Sequence, residues 1–565
     1  MKKVLIVIGV LVALAVIVVA IVPFVFDANR YRPEIESRLS QSLGRDVKIG
    51  NLQLSIFSGG ITANQITIAE NPAFGTQPFV QAKELKVGVD LWPLIFSKQL
   101  KIDSLVLDAP DVRLLQSANG KWNFSTLGSN TGPNRAASTG KPGAPSTSKT
   151  GNSSAGSSQE SANGLSIGKL EVSNGRIIVG EANGKQESYT GLDVKATDIS
   201  SSSSFPFSLS LAAPQGGKVS IDGKAGPLAA NDLTSTPFSG DVKIDNLDLA
   251  ATGFVSPQSG LEGILNYKGK LNSDGKTVES QGNATASKLR LVKTGSAASQ
   301  PVQVDYHSSY NLASDTGNVN NTTIHTGKST AALSGTYDAH GPTTTLDMRV
   351  LANQMAVGDV EGLLPALGVV LPAGSSLQGG TINANLSLHG PTDSLVTTGN
   401  VDVANTKLAG FSMGKGLSSV AALAGLPSGS DTTIQLLKSN LRIAPEGMQF
   451  SNIDLVVAEI GSMTGSGTIG ANNALDFHLV AKLNNASSSA TPNAVGMLTS
   501  ALGGKAGVNL QSIPIHITGT TSKPVFVPDV GSAVAKQLIP TGGKTQQNNP
   551  VGGLINGLFG GKKKP

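Results

Sequence analysis

Leu85-Lys86-Val87-Gly88-Val89-Asp90-Leu91 places an aliphatic residue at every second position, and that period of two decides the fold. Successive side chains of a strand point to opposite faces, so such a stretch buries one face and wets the other. The same alternation runs through Leu52, Leu54 and Ile56, through Ile66 and Ile68, through Leu105 and Leu107, and through Val112 and Leu114. Turn residues separate these runs at hairpin intervals. Charged residues make up only 14% of the chain and glycine is abundant, a mixture that suits extended structure with many turns better than helix bundles. The expectation is a mainly β protein with a few short helices.

The N-terminus departs from this pattern. Val4 to Phe26 carries no charge, and Lys2 and Lys3 stand directly before it. That length crosses a hydrocarbon core of about 30 Å, and the lysines belong on the cytoplasmic side. Val4, Leu5, Ile8, Leu11, Leu14, Ile17, Ile21, Phe24 and Phe26 are the expected membrane-facing residues of one transmembrane helix. A cleaved signal peptide would have an apolar core of about 7–15 residues and a small-residue cleavage site. This run is longer and ends in Val22-Pro23-Phe24-Val25-Phe26, so retention as a membrane anchor is expected, with the body outside the cytoplasm. From Asp27 to Gly44 the period is helical: Pro33 fits a first turn, Gly44 a C-terminal stop, and Ile35, Leu39 and Leu43 one narrow apolar face near the outer membrane surface.

Gly128 to Gly164 has no aliphatic residue larger than alanine and no aromatic, so disorder is expected. The strand pattern then restarts. Ile167, Leu170 and Val172 match Ile102, Leu105 and Leu107 at a constant offset, and Ala182-Asn183-Gly184-Lys185 echoes Ala118-Asn119-Gly120-Lys121. Two related hairpin units flank the insert. Further on, Gly226-Pro227, Gly341-Pro342 and Gly390-Pro391 punctuate the chain without a fixed period, which excludes a regular solenoid or propeller. Helical patterning is confined to 358–367, 417–426 and 494–502. In the Gly- and Lys-rich tail, Val551, Leu554, Ile555, Leu558 and Phe559 follow an amphipathic spacing before three lysines. Its glycines weaken a helix by up to about 1 kcal/mol each, so a docking helix and a frayed tail are both open.

Several function classes are disfavoured. The net charge of +5 is carried by Lys2, Lys3, Lys562, Lys563 and Lys564, which leaves the body neutral and speaks against nucleic-acid binding. There is no cysteine for thiolate chemistry. The six histidines, His307, His325, His340, His389, His478 and His516, are scattered, so no metal or cofactor is expected. Gly461 to Gly467 is glycine-rich but precedes a strand-like Thr468-Ile469, so it makes no nucleophile elbow, and Gly335 to Gly341 reads as a turn. Asp103 and Asp108, like Asp241 and Asp245, alternate with aliphatic residues and decorate wet strand faces. Trp92 and Trp122 read as core, edge or interface residues. No enzyme is expected.

Asn29-Arg30-Tyr31-Arg32-Pro33, Leu43-Gly44-Arg45-Asp46-Val47, Leu91-Trp92-Pro93-Leu94-Ile95, Ile102-Asp103-Ser104-Leu105 and Asn119-Gly120-Lys121-Trp122-Asn123-Phe124 stand in the order and spacing of the N-terminal region of the AsmA family, which this chain resembles. The far end is similar as well, through Gly447-Met448-Gln449-Phe450, Gly465-Ser466-Gly467-Thr468-Ile469, Ile515 to Thr520 and Phe526-Val527-Pro528-Asp529. Between about 200 and 400 only the style matches. The resemblance implies an inner-membrane-anchored periplasmic protein of diderm bacteria, related to bridge-like lipid transfer proteins. It implies a long antiparallel sheet curled into an open groove (a β-taco, chorein-like at its N-terminal end) that takes phospholipid acyl chains. It further implies a role in lipid transport and outer-membrane biogenesis.

Under that resemblance the groove candidates are Leu52, Leu54, Ile66, Ile68, Leu85, Val87, Val89, Leu105, Leu107, Val112 and Leu114. The expected divisions are 1–26 (cytoplasmic tip and anchor), 27–127 (N-terminal β domain), 128–164 (linker), 165–400 (middle groove region), 401–530 (C-terminal β region) and 531–565 (tail). With about 25–30 strands at ~4.8 Å the sheet would extend about 120–140 Å, modest for the family, so a partner or relay is implied. The tail is the candidate contact for outer-membrane or envelope assembly proteins. The alternative function is a scaffold or regulator of outer-membrane protein assembly without lipid transfer.

Overall fold

In a computed structural model the described residues are 28–55, 60–90, 102–127, 166–229, 235–255, 259–341, 343–417, 429–484 and 512–528. Among them no helix is long and apolar enough to cross a membrane. The expected anchor, the insert, the tail, Trp92 and the helical patterns of 418–426 and 494–502 lie outside the described residues.

A 3-10 turn, Ala28–Tyr31, leads into α1 (Arg32–Leu43), with Pro33 in its first turn and Gly44 at φ 65° as its C-cap. Glycine enters that left-handed region at little cost, which stops the helix where the sequence places the stop.

Twenty-six strands among the described residues form one sheet. The N-terminal part comprises β1 (Val47–Lys48), β2 (Leu52–Ser55), β3 (Gly60–Ile68), β4 (Val80–Val89), β5 (Ile102–Asp108) and β6 (Asp111–Gln116). Next come β7 (Ser166–Glu181), β8 (Gln186–Ser200), β9 (Phe205–Ala212), β10 (Lys218–Ala225), β11 (Phe238–Asp248), β12 (Glu262–Ser273) and β13 (Thr277–Arg290). The meander continues through β14 (Val302–Asn311), β15 (Thr316–Thr326), β16 (Ser329–Asp338), β17 (Thr345–Ala356), β18 (Ser376–Gln378), β19 (Thr381–Pro391) and β20 (Val396–Ala409). It ends with β21 (Thr432–Ala444), β22 (Gly447–Val457), β23 (Gly461–Gly470), β24 (Leu475–Leu483), β25 (Ile513–Thr520) and β26 (Lys523–Pro528).

The sheet is mixed rather than antiparallel throughout. β5 and β6, broken at Ala109 (φ 47°), both pair with β7 in parallel. A parallel pair needs a crossover that carries the chain back to its starting end, and residues 117–165 provide it. The register sets Ile102 against Ile167, Leu105 against Leu170 and Leu107 against Val172, so the repeated unit lies beside its own copy. The echoed turns also match. Gly120 N donates to Ser117 O at 2.9 Å and Gly184 N to Glu181 O at 3.3 Å, and Ala182 N donates to Gln116 O at 2.8 Å.

Two glycine-rich readings are corrected. Gly461–Gly470 is a strand in its entirety, and Gly335 sits within β16 rather than in a turn. Glycine is needed because side chains lie across it: a Cβ on Gly467 would stand 2.3 Å from the Phe477 ring, and one on Gly335 2.9 Å from Met348 Sδ. The helix expected at 358–367 appears in two pieces, α2 (Val357–Glu361) and a 3-10 turn, Leu364–Leu367, because Pro365 interrupts it.

A row of residues in the left-handed region interrupts the pairing. Asn246, Lys288, Asn321, Gln354, Asn405 and Asn452 take φ between 48° and 53°, each near a break in pairing on β11, β13, β15, β17, β20 and β22. These strands all run in one direction. Orphaned bulge amides are capped across the ladder: Asn246 N donates to Asn266 Oδ1 at 2.9 Å and Gln354 N to Asn383 Oδ1 at 2.8 Å. Each bulge adds twist to its own strand. Along the same rim short helical turns follow the strands: Leu249–Ala251, α2, and α3 (Met413–Gly416).

Candidate functional site

Cross-strand register defines two long rows of side chains on one face. The first runs Ile61, Val87, Leu105, Leu170, Ala196 and Phe207 from β3 to β9. It continues through Gly223, Gly240, Leu271, Ser280, Ser308 and Val319 to β15, then through Gly335, Met348 and Leu388 to β19. The second runs Leu52, Ala63, Leu85, Leu107, Val172 and Val194, then Leu209, Ile221 and Val242. The intervening row carries Lys86, Val106, Glu171, Lys195, Ser208, Asp222 and Asp241 on the opposite face. Ion pairs such as Lys169–Glu171 at 2.5 Å, Lys86–Glu84 at 2.8 Å and Arg176–Asp111 lie on β4 to β7. From β2 to β11 one face of the sheet is apolar and the other is wet.

The bulges preserve this sorting. A residue in the left-handed region inserts one position, so the alternation would invert unless the sequence inverts with it. It does: Phe450 on one side of Asn452 and Ile453, Leu455 and Val457 on the other join a single cluster. On β3, where Gln65 has φ 53°, Ala63, Ile66 and Ile68 also pack together, here without a shift in register.

Coverage of the apolar face is uneven. At the N-terminal end Leu52 is buried and packs with Ile66, Ile68 and Leu85 under α1, through Leu43 and Ala28. At the C-terminal end α3 and Leu417 close over β22 to β25, and Val457, Ile460, Met463 and Ala481 are at most 1% exposed. Between these ends Val87, Leu105, Leu107, Val172, Val194, Leu209 and Ile221 are only half-buried, and Ile61 is 37% exposed. Side chains sealed between two layers would be buried. Val112 and Leu114 pair with Ile177 and Val179, and Leu114 packs in the cluster of Val179, Tyr189 and Trp122. Val89 pairs with Ile102 beside the β4 irregularity. The side chain of Leu54 lies outside the described residues.

Near β12 to β16 the floor changes character. Tyr267 and Tyr306 share a hydrogen bond of 2.7 Å between their hydroxyls, Ser280 reaches Tyr306, and Ser308 lies 3.2 Å from the Tyr337 hydroxyl. Tyr310 and Tyr337 stack at 6.0 Å. The rings lie flat over glycines: a Cβ on Gly317 would stand 2.2 Å from the Tyr337 ring, and one on Gly269 2.0 Å from the Tyr267 hydroxyl. Burial, with the Tyr306 hydrogen bond, pushes the Tyr267 phenol up to about 12, and burial does the same to Tyr189. Both stay neutral, and the buried Tyr189 hydroxyl donates to Thr252 O at 2.7 Å.

The motif residues serve as internal fastenings. Arg45 and Glu70 form a buried ion pair at 2.9 Å, Arg45 Nη2 donates to Asn123 O at 2.7 Å, and Asn123 Nδ2 donates to Glu70 Oε2 at 2.6 Å. Asn123 Oδ1 also accepts from Leu115 N at 3.1 Å, and the Arg45 guanidinium lies 5.7 Å from the Phe79 ring centroid.

Five of the six histidines pair with acids on strand faces or turns; His307 lies 3.1 Å from Glu279 and His325 2.8 Å from Asp305. Although the histidines are scattered along the chain, His478 and His516 meet beside Asp476. Only the β24–β25 register brings that trio together.

The described residues define a mainly β protein built on one large mixed sheet, with an apolar face from β2 to β11 whose central side chains are half-buried. Residues 1–338 match the family model described as the AsmA family, and the chain belongs to that family. No curated protein and no solved structure matches it.

Proposed function

We propose that this chain is an inner-membrane-anchored periplasmic protein whose apolar sheet face carries phospholipid acyl chains as part of outer-membrane and envelope biogenesis, as a carrier rather than an enzyme. The observation that carries the reading is the unbroken apolar row from β2 to β11 whose central members stay half-buried. An apolar face this long must be covered by another layer or by a ligand. Acyl chains gain about 0.8 kcal/mol per CH₂ removed from water and need no directional contacts to slide. Head groups would remain at the open rim. At ~4.8 Å per strand, some twenty-three ladder positions extend about 105 Å, which favours a relay partner if the outer membrane is to be reached.

The exposed apolar residues Tyr31, Ile35 and Leu39 recur every four positions beside α1. Directly after the run 4–26, such a stripe fits contact with a membrane surface. Full-length protein extracted in mild detergent should carry phospholipid measurable by mass spectrometry, and Val87→Asp or Leu105→Asp should lower the yield several-fold. Undiminished lipid in both folded variants contradicts the reading.

The second reading is a scaffold for envelope assembly proteins. It is favoured by β26, a terminal strand with Val525 and Val527 about half exposed, on which a client strand could add. Crosslinks from β26 to protein rather than lipid would support it.

A further inference from the structure

The fold places His478 on β24 directly opposite His516 on β25. Their rings stack with centroids 4.2 Å apart and planes 14° from parallel. Asp476 stands two residues before His478 on the same face, and its Oδ1 lies 3.1 Å from His478 Nε2 and 2.7 Å from His516 Nε2. The three donor atoms all fall within 4.8 Å of one another. Leu475, Phe477 and Leu479 alternate with the trio and point to the apolar side, so the cluster lies on the wet face. The residues registered opposite it, Thr468 and Ser466 on β23 and Val527 on β26, bring no cation that would compete.

We propose that Asp476, His478 and His516 form a binding site for one late first-row divalent cation, with zinc the best match. Two imidazoles and a carboxylate are the donor set such ions take, and a tetrahedral ion with ligands at about 2.0–2.2 Å places donors roughly 3.3–3.6 Å apart. The two Asp476 contacts are about 0.2–0.9 Å shorter than that, so the carboxylate draws back and the stacked rings tilt out of parallel to let both Nε2 lone pairs converge on one ion, rearrangements open to exposed side chains. Water supplies the remaining position. Each imidazole ligates through a neutral Nε2, so uptake displaces any proton held there and affinity falls on acidification.

The ion would act as a staple. β24 ends at Leu483 and β25 begins at Ile513, so their pairing closes a long connection. A cross-link across a long loop limits the freedom of the unpaired chain most. β26 pairs only with β25 among the described residues, so the staple would hold the terminal hairpin onto the sheet.

The test uses full-length protein in detergent, stripped with chelator and titrated with Co²⁺ for its visible band and with Zn²⁺ by calorimetry. One equivalent should bind, with a tetrahedral-type cobalt spectrum and a zinc-dependent rise in melting temperature. His478→Ala with His516→Ala should weaken binding by at least about 100-fold. Asp476→Asn, which keeps both imidazoles, should weaken it by about tenfold or more, while His307→Ala with His325→Ala should leave it unchanged. Metal-free melting curves check that the exposed substitutions leave the fold intact. Zinc binding by the double His478/His516 variant equal to wild type, or no stoichiometric binding by wild type, overturns the proposal.

Discussion

Leu105 and Leu170 lie side by side on parallel strands, the second being the repeat of the first along the chain. The pairing continues past them: Asp111 is set against Arg176, and Ser173 Oγ donates to Asp108 Oδ1, both pairs sixty-five residues apart. Two segments of similar sequence lie in register on parallel strands, which merges their apolar faces into one.

The connection between β6 and β7 must therefore reach back along β5 and β6. Fifteen extended residues span about 50 Å, so roughly 15 residues beyond Leu127 are the minimum. Trimming 128–165 to about 25 residues should leave the melting temperature within a few degrees. Cutting it to five should expose the amides of β7 to hydrogen exchange. Unchanged protection in the five-residue variant contradicts the parallel pairing.

Arg45, Glu70 and Asn123 form a buried polar network that ties the start of β1 to the chain after β6. Removing one partner strands a buried charge, at about 3–5 kcal/mol. Arg45→Ala should destabilise the N-terminal part by that amount, read as faster exchange across β1 to β6, with little change in β21 to β26. A variant protected like wild type contradicts the fastening role.

Much of this was readable in the sequence. The period of two at 85–91 marks a two-faced strand whatever it packs against, and Pro33 and Gly44 bracket α1 through their own backbone preferences. The duplication was visible at Ile167, Leu170 and Val172, but its parallel docking was not, since similarity says nothing of relative direction. The bulges escaped notice because one Asn within a strand is common, and only the partner register shows that Asn246, Asn321 and Asn452 each shift the pairing. Of the groove candidates, Leu52, Ile66, Ile68 and Leu85 alternate just like Val87 and Leu105, yet α1 covers them. Which half of an apolar face gets a lid is a tertiary outcome. His478 and His516 were separated by thirty-seven intervening residues and met only through strand pairing.

The Tyr337 ring lies where a side chain on Gly317 would go. Gly317→Val should force the ring aside and cost about 1–3 kcal/mol, measured as a lowered urea midpoint. Adding Tyr337→Ala should recover part of that loss, because the two changes are coupled. Simple additivity of the two substitutions contradicts the packing.

Lys407, the Gly410 amide and Ser430 hold the Asp431 carboxyl at about 2, below its ordinary value of 3.8. A lowered folded-state value stabilises the fold above the unfolded value, and the gain disappears as the pH falls from about 4 towards 2. Asp431→Asn should remove that share of the acid sensitivity, so the variant's stability should fall less steeply than wild type between pH 4 and pH 2. Identical slopes contradict the assignment.

The central claim is that one face of the sheet meets lipid and the other meets water. Photo-crosslinking in cells tests it most directly, with a benzophenone amino acid placed at Ile221 or Leu107 on the apolar row and at Asp222 or Lys195 on the wet one. The account predicts phospholipid adducts at Ile221 and Leu107 and none above background at Asp222 and Lys195. Adducts absent from both rows, or equal on both, contradict it.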